Sequence, residues 1–576
     1  MKKLLKYLKN FKKECIVAPS FKMLEALFEL FVPLFMTKII DEGITLHNKS
    51  TVFKNGAIIV AFGLIGLTCS LTAQYFAAKA ATGFSKGVRK ALFDRIMDFS
   101  FENLDKQGSS TLITRITNDL NQVQNGVNMV LRLLLRSPFI VFGAMIMAFT
   151  INVKAALIFV VMIPLLFIVV LSITIISIPM YKKIQKSLDR LTGHIRENLS
   201  GARVIRAFNT EEREKDIFEK ENTFLYDYSL VTSKVSVIMN PLTVIIVNVS
   251  MLVLILKGAN LVNDGTLTNG QVYALVNYMS QILVELVKLS NLMITINKAL
   301  ASAQRISDTL LVENTQKDTG VIDAKDLLSG DIKVEFFNVN FAYPGTGKEF
   351  IENVSFSMES GETIGIIGGT GSGKSTLAKL LQRFYDVSSG DILINGHSIS
   401  EYSLKSLNAL FGYVPQKALL FSGQLKENLL LANPEASEED MLWAVKMSES
   451  ENILEAKGEG LSFEIKEGGN NLSGGQKQRL TIARALTKKA GIYIFDDSSS
   501  ALDYHTDKKL RDNLRTLPKN TIRIIISQRV ISIKDADRIA VMDDGKLVGF
   551  DTHERLMNSC PVYREICESQ GEAETL

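Results

Sequence analysis

The chain contains few of the residues that build metal sites or disulfide frameworks. It has only four cysteines and five histidines in 576 residues, and they show no CxxC or Cys/His spacing. This scarcity argues against a zinc site and a disulfide scaffold, and it predicts that Cys15, Cys69, Cys560 and Cys567 are reduced structural thiols. There is no large surplus of charge either, because 65 Lys and Arg residues balance 61 Asp and Glu residues to a net +4.

The clearest concentration of charge is at the N-terminus, where six lysines occur in MKKLLKYLKNFKK. The cluster leads directly into an apolar segment, which favours a cytoplasmic anchor at the membrane surface over a nucleic-acid site. That segment is long, carries charges and has no small-residue cleavage pattern. We therefore expect it to remain on the protein and not to be removed as a signal peptide.

The length of the chain predicts at least two domains, and its mean hydropathy of +0.15 averages two unlike halves. Six apolar segments before about residue 300 are long enough to span a membrane, and an even number of spans places both termini on one side of it. The long connections at about 80–127 and 179–235 are rich in Lys and Arg, so they and both termini are predicted to be cytoplasmic. The apolar segments of spanning length lie near 16–40, 56–79, 128–151, 155–178, 236–257 and 270–296.

The two long connections keep a helical pattern with few breakers, so the second to fifth spans are predicted to continue beyond the bilayer. After the last span, the polar stretch VENTQKDTGVIDAKDLLSGD precedes a run, IKVEFFNVNFAYPG, that alternates like a strand. We predict a membrane domain over 1–312, a linker over 313–330 and a soluble α/β domain with a parallel sheet over 331–576.

A glycine-rich loop, GGTGSGKST, follows the strand-like run TIGII and precedes the helix-like run LAKLLQRF. Glycines at this position let backbone N–H groups approach phosphates, and the following helix N-terminus favours negative charge. Lys374 is predicted to reach the β- and γ-phosphates, and Ser375 to ligate Mg²⁺. The predicted ATP-binding residues of this loop are Gly368, Gly369, Thr370, Gly371, Ser372, Gly373, Lys374, Ser375 and Thr376.

A second apolar run, IYIFD, ends in Asp496, a residue placed to hold Mg²⁺ directly or through water. Together with the glycine-rich loop, this carboxylate specifies a P-loop nucleotidase.

The segment NLSGGQKQRLTIARAL, just before that strand, resembles the signature of ATP-binding-cassette (ABC) transporters. The resemblance spans the whole chain and is closest to bacterial ABC exporters. It implies six transmembrane helices fused to an ATP-binding cassette, with two short coupling helices in FSFENLDKQGSSTLITRITNDL and GARVIRAFNTEERE. It also implies donors to a γ-phosphate bound by a different subunit, supplied by Leu472, Ser473, Gly474, Gly475 and Gln476.

Four further positions match motifs of this family. Tyr343 matches the aromatic residue that stacks on adenine, and Gln416 the glutamine that contacts Mg²⁺ and the attacking water. Glu467 matches a glutamate that touches the coupling helices. Asp503 matches the position of a loop that crosses the dimer interface in the family.

Two positions depart from the family pattern, which has a catalytic glutamate and a switch histidine. Asp497 replaces the glutamate, and a carboxylate shortened by one methylene reaches the attacking water poorly. Gln528 replaces the histidine with an amide that can hydrogen-bond a phosphate but carries no charge. The pair predicts slow hydrolysis with ATP binding retained. It also predicts a heterodimer whose second six-span half-transporter restores Glu and His.

Charged residues inside the predicted spans point to the transport path. Lys22, Glu25 and Glu29 share one face of the first span, and Glu285 lies in the sixth. Because charges in a bilayer are costly, this face is predicted to line a protein interior or an aqueous cavity. One interpretation is an acidic patch for cationic amphiphiles, formed by Glu25, Glu29 and Glu285. The other is a neutral Lys22–Glu25 pair near the cytoplasmic end.

The leading hypothesis is ATP-driven export of hydrophobic or amphipathic compounds, such as drugs, across a bacterial plasma membrane by one half of a heterodimer. One alternative is a homodimeric exporter of lipid or peptide in which Asp497 serves as the base. Another is a regulatory subunit whose ATP stays bound. Soluble ABC proteins that act on ribosomes or DNA are excluded by the six predicted spans, and no nucleic-acid partner is expected.

Overall fold

A computed structural model divides the chain into two units that interleave in sequence. One comprises the residues up to Met97 together with Gly108–Val312, and the other comprises Asp98–Gln107 and the residues from Glu313 onward. The second unit therefore takes a short segment from within the membrane half of the sequence. The structure describes residues 4–316, 318, 320–328, 330–345 and 347–571.

The first unit, as far as it is described, is helical throughout. It begins with a 3₁₀ segment at Leu4–Phe11, and π-type turns occupy Ile39–Ile44 and Arg115–Asp119. In chain order, and including α3 of the second unit, the α-helices are α1 (Lys12–Lys38), α2 (Lys49–Met97), α3 (Phe101–Gln107), α4 (Ser109–Thr114), α5 (Leu120–Leu133), α6 (Arg136–Ile151), α7 (Val153–Ser200), α8 (Ala202–Ala207), α9 (Glu211–Val237), α10 (Met239–Asn263) and α11 (Asn269–Leu311).

Several of these helices are much longer than a bilayer is thick. Helix α2 has 49 residues and α7 has 48, so at 1.5 Å per residue each is about 70 Å long, against about 30 Å of hydrocarbon. This agrees with the predicted extension of the spans beyond the membrane.

By length and composition, five helical stretches in the described part of the chain can cross a membrane: Lys49–Met97, Ser109–Ile151, Val153–Ser200, Glu211–Asn263 and Asn269–Leu311. Helix α1 is outside this group although it has 27 residues. Lys22, Glu25 and Glu29 interrupt its apolar sequence. Its role as the first of six spans remains a prediction.

Small residues let the helices of the first unit approach closely. Ala73, Ala77 and Ala80 are fully buried on α2, which packs along α1. On α5, a Cβ atom added at Gly126 would lie 2.3 Å from the Cβ of Ala299 on α11. Such contacts are typical of helix association in membranes, where van der Waals packing replaces the hydrophobic effect.

The second unit is an α/β domain. Its strands are β1 (Lys333–Phe341), β2 (Ile351–Glu359), β3 (Thr363–Gly368), β4 (Ser389–Ile394), β5 (His397–Ser398), β6 (Phe411–Val414), β7 (Gly423–Gln424), β8 (Glu464–Ile465), β9 (Ile492–Asp496), β10 (Ile522–Ile526), β11 (Arg538–Asp543) and β12 (Lys546–Asp551). Its remaining α-helices are α12 (Lys374–Leu381), α13 (Leu404–Ala409), α14 (Leu425–Leu430), α15 (Glu438–Met447), α16 (Glu451–Lys457), α17 (Gly474–Thr487), α18 (Tyr504–Arg515), α19 (His553–Ser559) and α20 (Pro561–Ser569).

The central sheet has the order β12-β11-β3-β10-β9-β6 and is parallel except for the β11–β12 pair. Strands β9 and β10 are almost entirely buried, as expected for a parallel sheet covered on both faces. The parallel sheet predicted from the sequence is confirmed. Because the carboxyl ends of β3, β10, β9 and β6 share one edge, the loops that follow them meet there.

Candidate functional site

The loop between β3 and α12 has a backbone that requires glycine at two positions. Gly368 has φ 153° and Gly373 has φ 98°, values that side chains rarely permit. A Cβ at Gly368 would lie 2.0 Å from the carbonyl oxygen of Met542, and one at Gly373 would lie 2.4 Å from Cδ1 of Ile351. Helix α12 begins at the next residue, Lys374, so its N-terminus faces the loop.

Lys374 is held inside this loop. Its side-chain nitrogen donates to the carbonyl oxygens of Gly368 at 2.8 Å and Gly369 at 2.6 Å, and it lies 3.3 Å from Oγ of Ser372. The residue is only 8% exposed, and burial lowers the pKa of its ammonium while Asp497 and Asp496 oppose that shift. A buried cation in a glycine-rich loop at a helix N-terminus is suited to binding phosphate.

A cavity of about 170 Å³ lies at the shared edge of the sheet, beside Lys374. It is bordered by the loops that follow β3, β6, β9 and β10, so the fold brings together residues that are distant in sequence. Of the residues predicted for the ATP site, those lining this cavity are Thr370, Gly371, Gly373, Lys374, Ser375, Thr376, Gln416, Asp496, Asp497 and Gln528.

The predicted Mg²⁺ ligands Ser375 and Asp496 are in contact. Oγ of Ser375 donates to Oδ1 of Asp496 at 2.7 Å, and the hydroxyl of Tyr413 lies 3.4 Å from Oδ2. Burial raises the pKa of Asp496 while the Ser375 hydrogen bond lowers it. Hydroxyl and carboxylate oxygens at the rim of a phosphate site are the ligands that Mg²⁺ prefers, so these residues fit the ion.

Asp497 and Gln416, both predicted to act in hydrolysis, also meet. Nε2 of Gln416 donates to Oδ2 of Asp497 at 3.2 Å. Asp497 has φ 47°, in the left-handed region that Asp tolerates better than bulkier residues, and its backbone N–H donates to Ile526 at 2.8 Å. The strand-end geometry therefore directs this carboxylate into the cavity.

Gln528 follows β10 and is exposed at the cavity. Within the described part of the chain, its side chain has no hydrogen-bond partner; its carbonyl oxygen accepts from Nε2 of Gln570 at 2.8 Å. The amide is therefore available to a ligand in the cavity.

Tyr343, predicted to stack on adenine, packs against another aromatic ring, that of Phe350, and does not itself line the cavity in the described part of the chain. Its hydroxyl is 3.0 Å from Oγ1 of Thr376, and its ring packs edge-on against Phe350 with centroids 5.3 Å apart. Phe350 itself lines the cavity. Sequence reasoning missed Phe350, because only the fold brings the start of β2 next to the phosphate loop; the role of Tyr343 in adenine binding remains a prediction.

The LSGGQ segment forms the start of α17. Oγ of Ser473 accepts from the backbone N–H of Gln476 at 3.3 Å, and Oε1 of Gln476 accepts from the N–H of Ser473 at 2.9 Å. This reciprocal capping fixes the helix start. In the region described, none of residues 472–476 lines the phosphate-loop cavity.

Asp503 caps α18, accepting from the N–H of Thr506 at 3.0 Å and from its Oγ1 at 2.8 Å. These hydrogen bonds lower the pKa of Asp503. Glu467 is exposed at a 3₁₀ turn, Glu467–Gly469. The interface roles of both residues remain predictions.

Helix α3, predicted as a coupling helix, packs within the second unit. Phe101 stacks on Phe384 with ring centroids 4.2 Å apart, and the hydroxyl of Tyr385 donates to the carboxylate of Asp105. Burial and Asp105 both raise the pKa of Tyr385. Phe384 and Tyr385 closely follow α12, so α3 is linked to the phosphate loop through one short helix. The sequence predicted this helix but not the aromatic pair that docks it.

In the first unit, a charge cluster joins α1, α6 and α11. Arg136 donates to Glu285 at 2.6 Å and, from its other terminal nitrogen, to Glu29 at 2.7 Å. Glu285 also accepts from Ser137 at 2.8 Å and from Lys288 at 2.8 Å. Glu285 is 3% exposed, so its charge is balanced almost without solvent.

The remaining predicted acid is also paired. Lys22 donates to Glu25 at 2.5 Å and to Ser70 at 3.0 Å, which is the neutral pair of the second interpretation. Two cations, Arg136 and Lys288, thus lie opposite Glu29 and Glu285. The acidic patch for cationic amphiphiles, with Glu25, Glu29 and Glu285 in a substrate cavity, remains a prediction. Sequence reasoning missed Arg136, although a charge within the apolar run LRLLLRSPF was a usable signal.

Comparison with known proteins agrees with this geometry. A family model described as ABC transporter transmembrane region matches residues 15–286, and one described as ABC transporter matches residues 351–500. YfiB of Bacillus subtilis (strain 168), described as an uncharacterized ABC transporter ATP-binding protein, is 34% identical over 570 residues, 99% of this chain and 98% of its own. YgaD of the same organism, provisionally named a multidrug export ATP-binding/permease protein, is 29% identical over 581 residues, 99% of each chain.

Among solved structures, a bacterial Atm1-family ABC exporter with ATP bound is similar in fold, with a TM-score of 0.80 and 22% identity over 98% of each chain. The matches cover both the helical unit and the α/β unit. The chain therefore belongs to the ABC transporter family, as a half-transporter with the fold of an ABC exporter, in which a membrane region is fused to an ATP-hydrolysing domain.

Proposed function

We propose that this chain is one half of a heterodimeric exporter of hydrophobic or amphipathic compounds. Its own phosphate loop forms a slowly hydrolysing ATP site, and its LSGGQ segment completes the active site of a second six-span half-transporter. The observation that carries the proposal is the contrast between a complete signature at Leu472–Gln476 and a cavity bordered by Asp497 and Gln528.

The geometry around Asp497 supports slow hydrolysis. Its short side chain is engaged by Gln416 at 3.2 Å, and a general base must reach the attacking water before its pKa matters. Gln528 can donate to a γ-phosphate but cannot supply positive charge. Both changes reduce the stabilisation of the transition state more than the stabilisation of bound ATP. ATP would therefore bind but turn over slowly.

The nucleotide would be held chiefly by the phosphate loop. Lys374 would meet the β- and γ-phosphates, Ser375, Asp496 and Gln416 would hold Mg²⁺, and Tyr343 would support the adenine together with Phe350. When bound, Mg²⁺ would neutralise developing charge on the phosphates. The hydroxyl–carboxylate pair of Ser375 and Asp496 at 2.7 Å supports this assignment.

The helices support a place in the membrane, and a relative supports the substrate class. In the described part of the chain, five stretches are apolar and long enough to span a bilayer. The Lys- and Arg-rich connections favour an orientation in a bacterial plasma membrane with both termini and the ATP-binding domain in the cytoplasm. The provisional name of YgaD concerns multidrug export, which supports drugs as substrates. A cavity role for Glu25, Glu29 and Glu285 is part of the proposal.

The experiment that tests this is purification of the full-length chain alone and with a co-expressed half-transporter from the same organism that carries Glu and His at the two positions. We expect low ATPase activity alone and high activity in the complex. Lys374→Ala here should reduce transport less than the equivalent change in the other half. Equal losses, or full activity of the chain alone, would favour a homodimer.

A further inference from the structure

The last helix of the described chain holds the loop that carries Gln528. Gln570 directly follows α20, and its Oε1 accepts from the backbone N–H of Val530 at 2.9 Å. Its Nε2 donates to the carbonyl oxygen of Gln528 at 2.8 Å. One side-chain amide thus bonds both sides of Arg529 in the segment 527–530, here called the switch loop.

The helix that precedes Gln570, α20, is well packed. On α20, Tyr563 and Cys567 are fully buried in one apolar cluster with Val530 and Ile533. The hydroxyl of Tyr563 also lies 2.8 Å from Nδ1 of His553. Because α20 packs against Val530 at the end of the switch loop and against Ile533 beyond it, the core fixes the helix from whose end Gln570 reaches the loop.

The switch loop has other anchors, at Ser527 and Arg529. Ser527 donates its N–H to Ile366 at 3.1 Å, and the N–H of Arg529 donates to Oγ of Ser527 at 2.9 Å. The Gln528 side chain faces the phosphate-loop cavity. The two hydrogen bonds of Gln570 therefore restrain the backbone of a residue whose side chain lines the phosphate-loop cavity.

We propose that Gln570 is a positioning residue that aims the Gln528 amide at the γ-phosphate, and so makes this site prefer ATP over ADP. The inference rests on the proposed nucleotide binding at this chain's own phosphate loop. ADP lacks the γ-phosphate, so the two hydrogen bonds of Gln570 affect ATP binding and leave ADP binding unchanged.

The test is photo-crosslinking of azido-ATP and azido-ADP to the full-length chain, alone or in its complex, under conditions too cold for turnover. Gln570→Ala removes both hydrogen bonds and should weaken ATP binding about three- to tenfold while ADP binding changes less than about twofold. Gln570→Glu keeps the acceptor for Val530 but loses the donor to Gln528. Its affinity for ATP should therefore lie between that of the unmodified chain and that of Gln570→Ala.

Ser569→Ala is the matched control, since Oγ of Ser569 bonds only to Ile566 of its own helix in the described chain, at 2.8 Å. A Gln528→Ala background supplies the decisive comparison: there, Gln570→Ala should change neither affinity further, because coupled residues are not additive. Equal losses for ATP and ADP would reduce Gln570 to a structural role and overturn the proposal. Every comparison concerns nucleotide bound at this chain's own phosphate loop. Evidence for a homodimer would therefore overturn the proposed heterodimer without affecting the test of Gln570.

Discussion

The amide of Gln416 donates to the carboxylate of Asp497 at 3.2 Å, across a cavity edge formed by two parallel strands. This contact joins the glutamine that follows β6 to the shortened carboxylate that follows β9. It gives the aspartate a fixed partner in a position from which a longer side chain would extend further into the cavity.

Lengthening that carboxylate should restore hydrolysis at this site. Asp497→Glu is expected to raise turnover about tenfold or more, because general-base placement contributes about 10²–10⁴-fold. The measurement is ATPase activity of the complex with the other half's phosphate-loop lysine replaced by alanine. Asp497→Asn, which keeps the length but removes the base, is the control and should not rise. Equal rates for Asp497→Glu and the unmodified chain would contradict the prediction.

Removing Arg136 should destabilise the first unit. Arg136→Ala leaves Glu285 buried with a single cation, Lys288, and breaking such a pair costs about 3 kcal/mol or more. We expect a lower unfolding temperature in detergent, with Arg190→Ala, an exposed arginine on α7, unchanged. Replacing Arg136 and Glu285 together by methionine should recover part of the loss. Full stability of Arg136→Ala would show that the cluster contributes nothing.

Neutralising the acids of α1 should reduce export of cations. Glu29 is 43% exposed in its side chain although paired. Glu25→Gln with Glu29→Gln leaves Lys22 without its carboxylate partner and leaves Arg136 and Lys288 to share Glu285, so the region gains net positive charge. Cationic dyes should then leave cells more slowly, whereas an uncharged dye of similar size should be unaffected. Unchanged efflux of the cationic dye would remove these acids from the transport path.

Weakening the α3 contact should uncouple transport from ATP use. Tyr385→Phe loses the hydroxyl that bonds Asp105 but keeps the ring, a change of about 1 kcal/mol. We expect substrate stimulation of the ATPase to fall while basal activity persists. Tyr504→Phe, at an exposed position, should behave as the unmodified chain; a similar fall there would show a nonspecific effect.

Several features could be read directly from contiguous residues. The phosphate loop, the LSGGQ helix start and the strand ending in Asp496 are short motifs whose backbone geometry is set by glycines and capping residues next to one another. The parallel sheet followed from buried strands alternating with helices. The resemblance also predicted a short coupling helix within FSFENLDKQGSSTLITRITNDL, which the structure places at Phe101–Gln107, although its place in the second unit did not follow from the pattern.

The amino-acid sequence by itself determined the kind of machine: apolar helices, a phosphate loop and a signature, all encoded locally. The tertiary structure decided the side-chain partners. Gln416 and Asp497 are 81 residues apart, and Arg136 and Glu285 are 149 apart, so packing alone brings them together. For that reason Glu29 and Glu285 meet Arg136, Phe350 lines the cavity, and Gln570 bonds the loop that carries Gln528, since a hydrogen-bond or charge partner depends on distance in space.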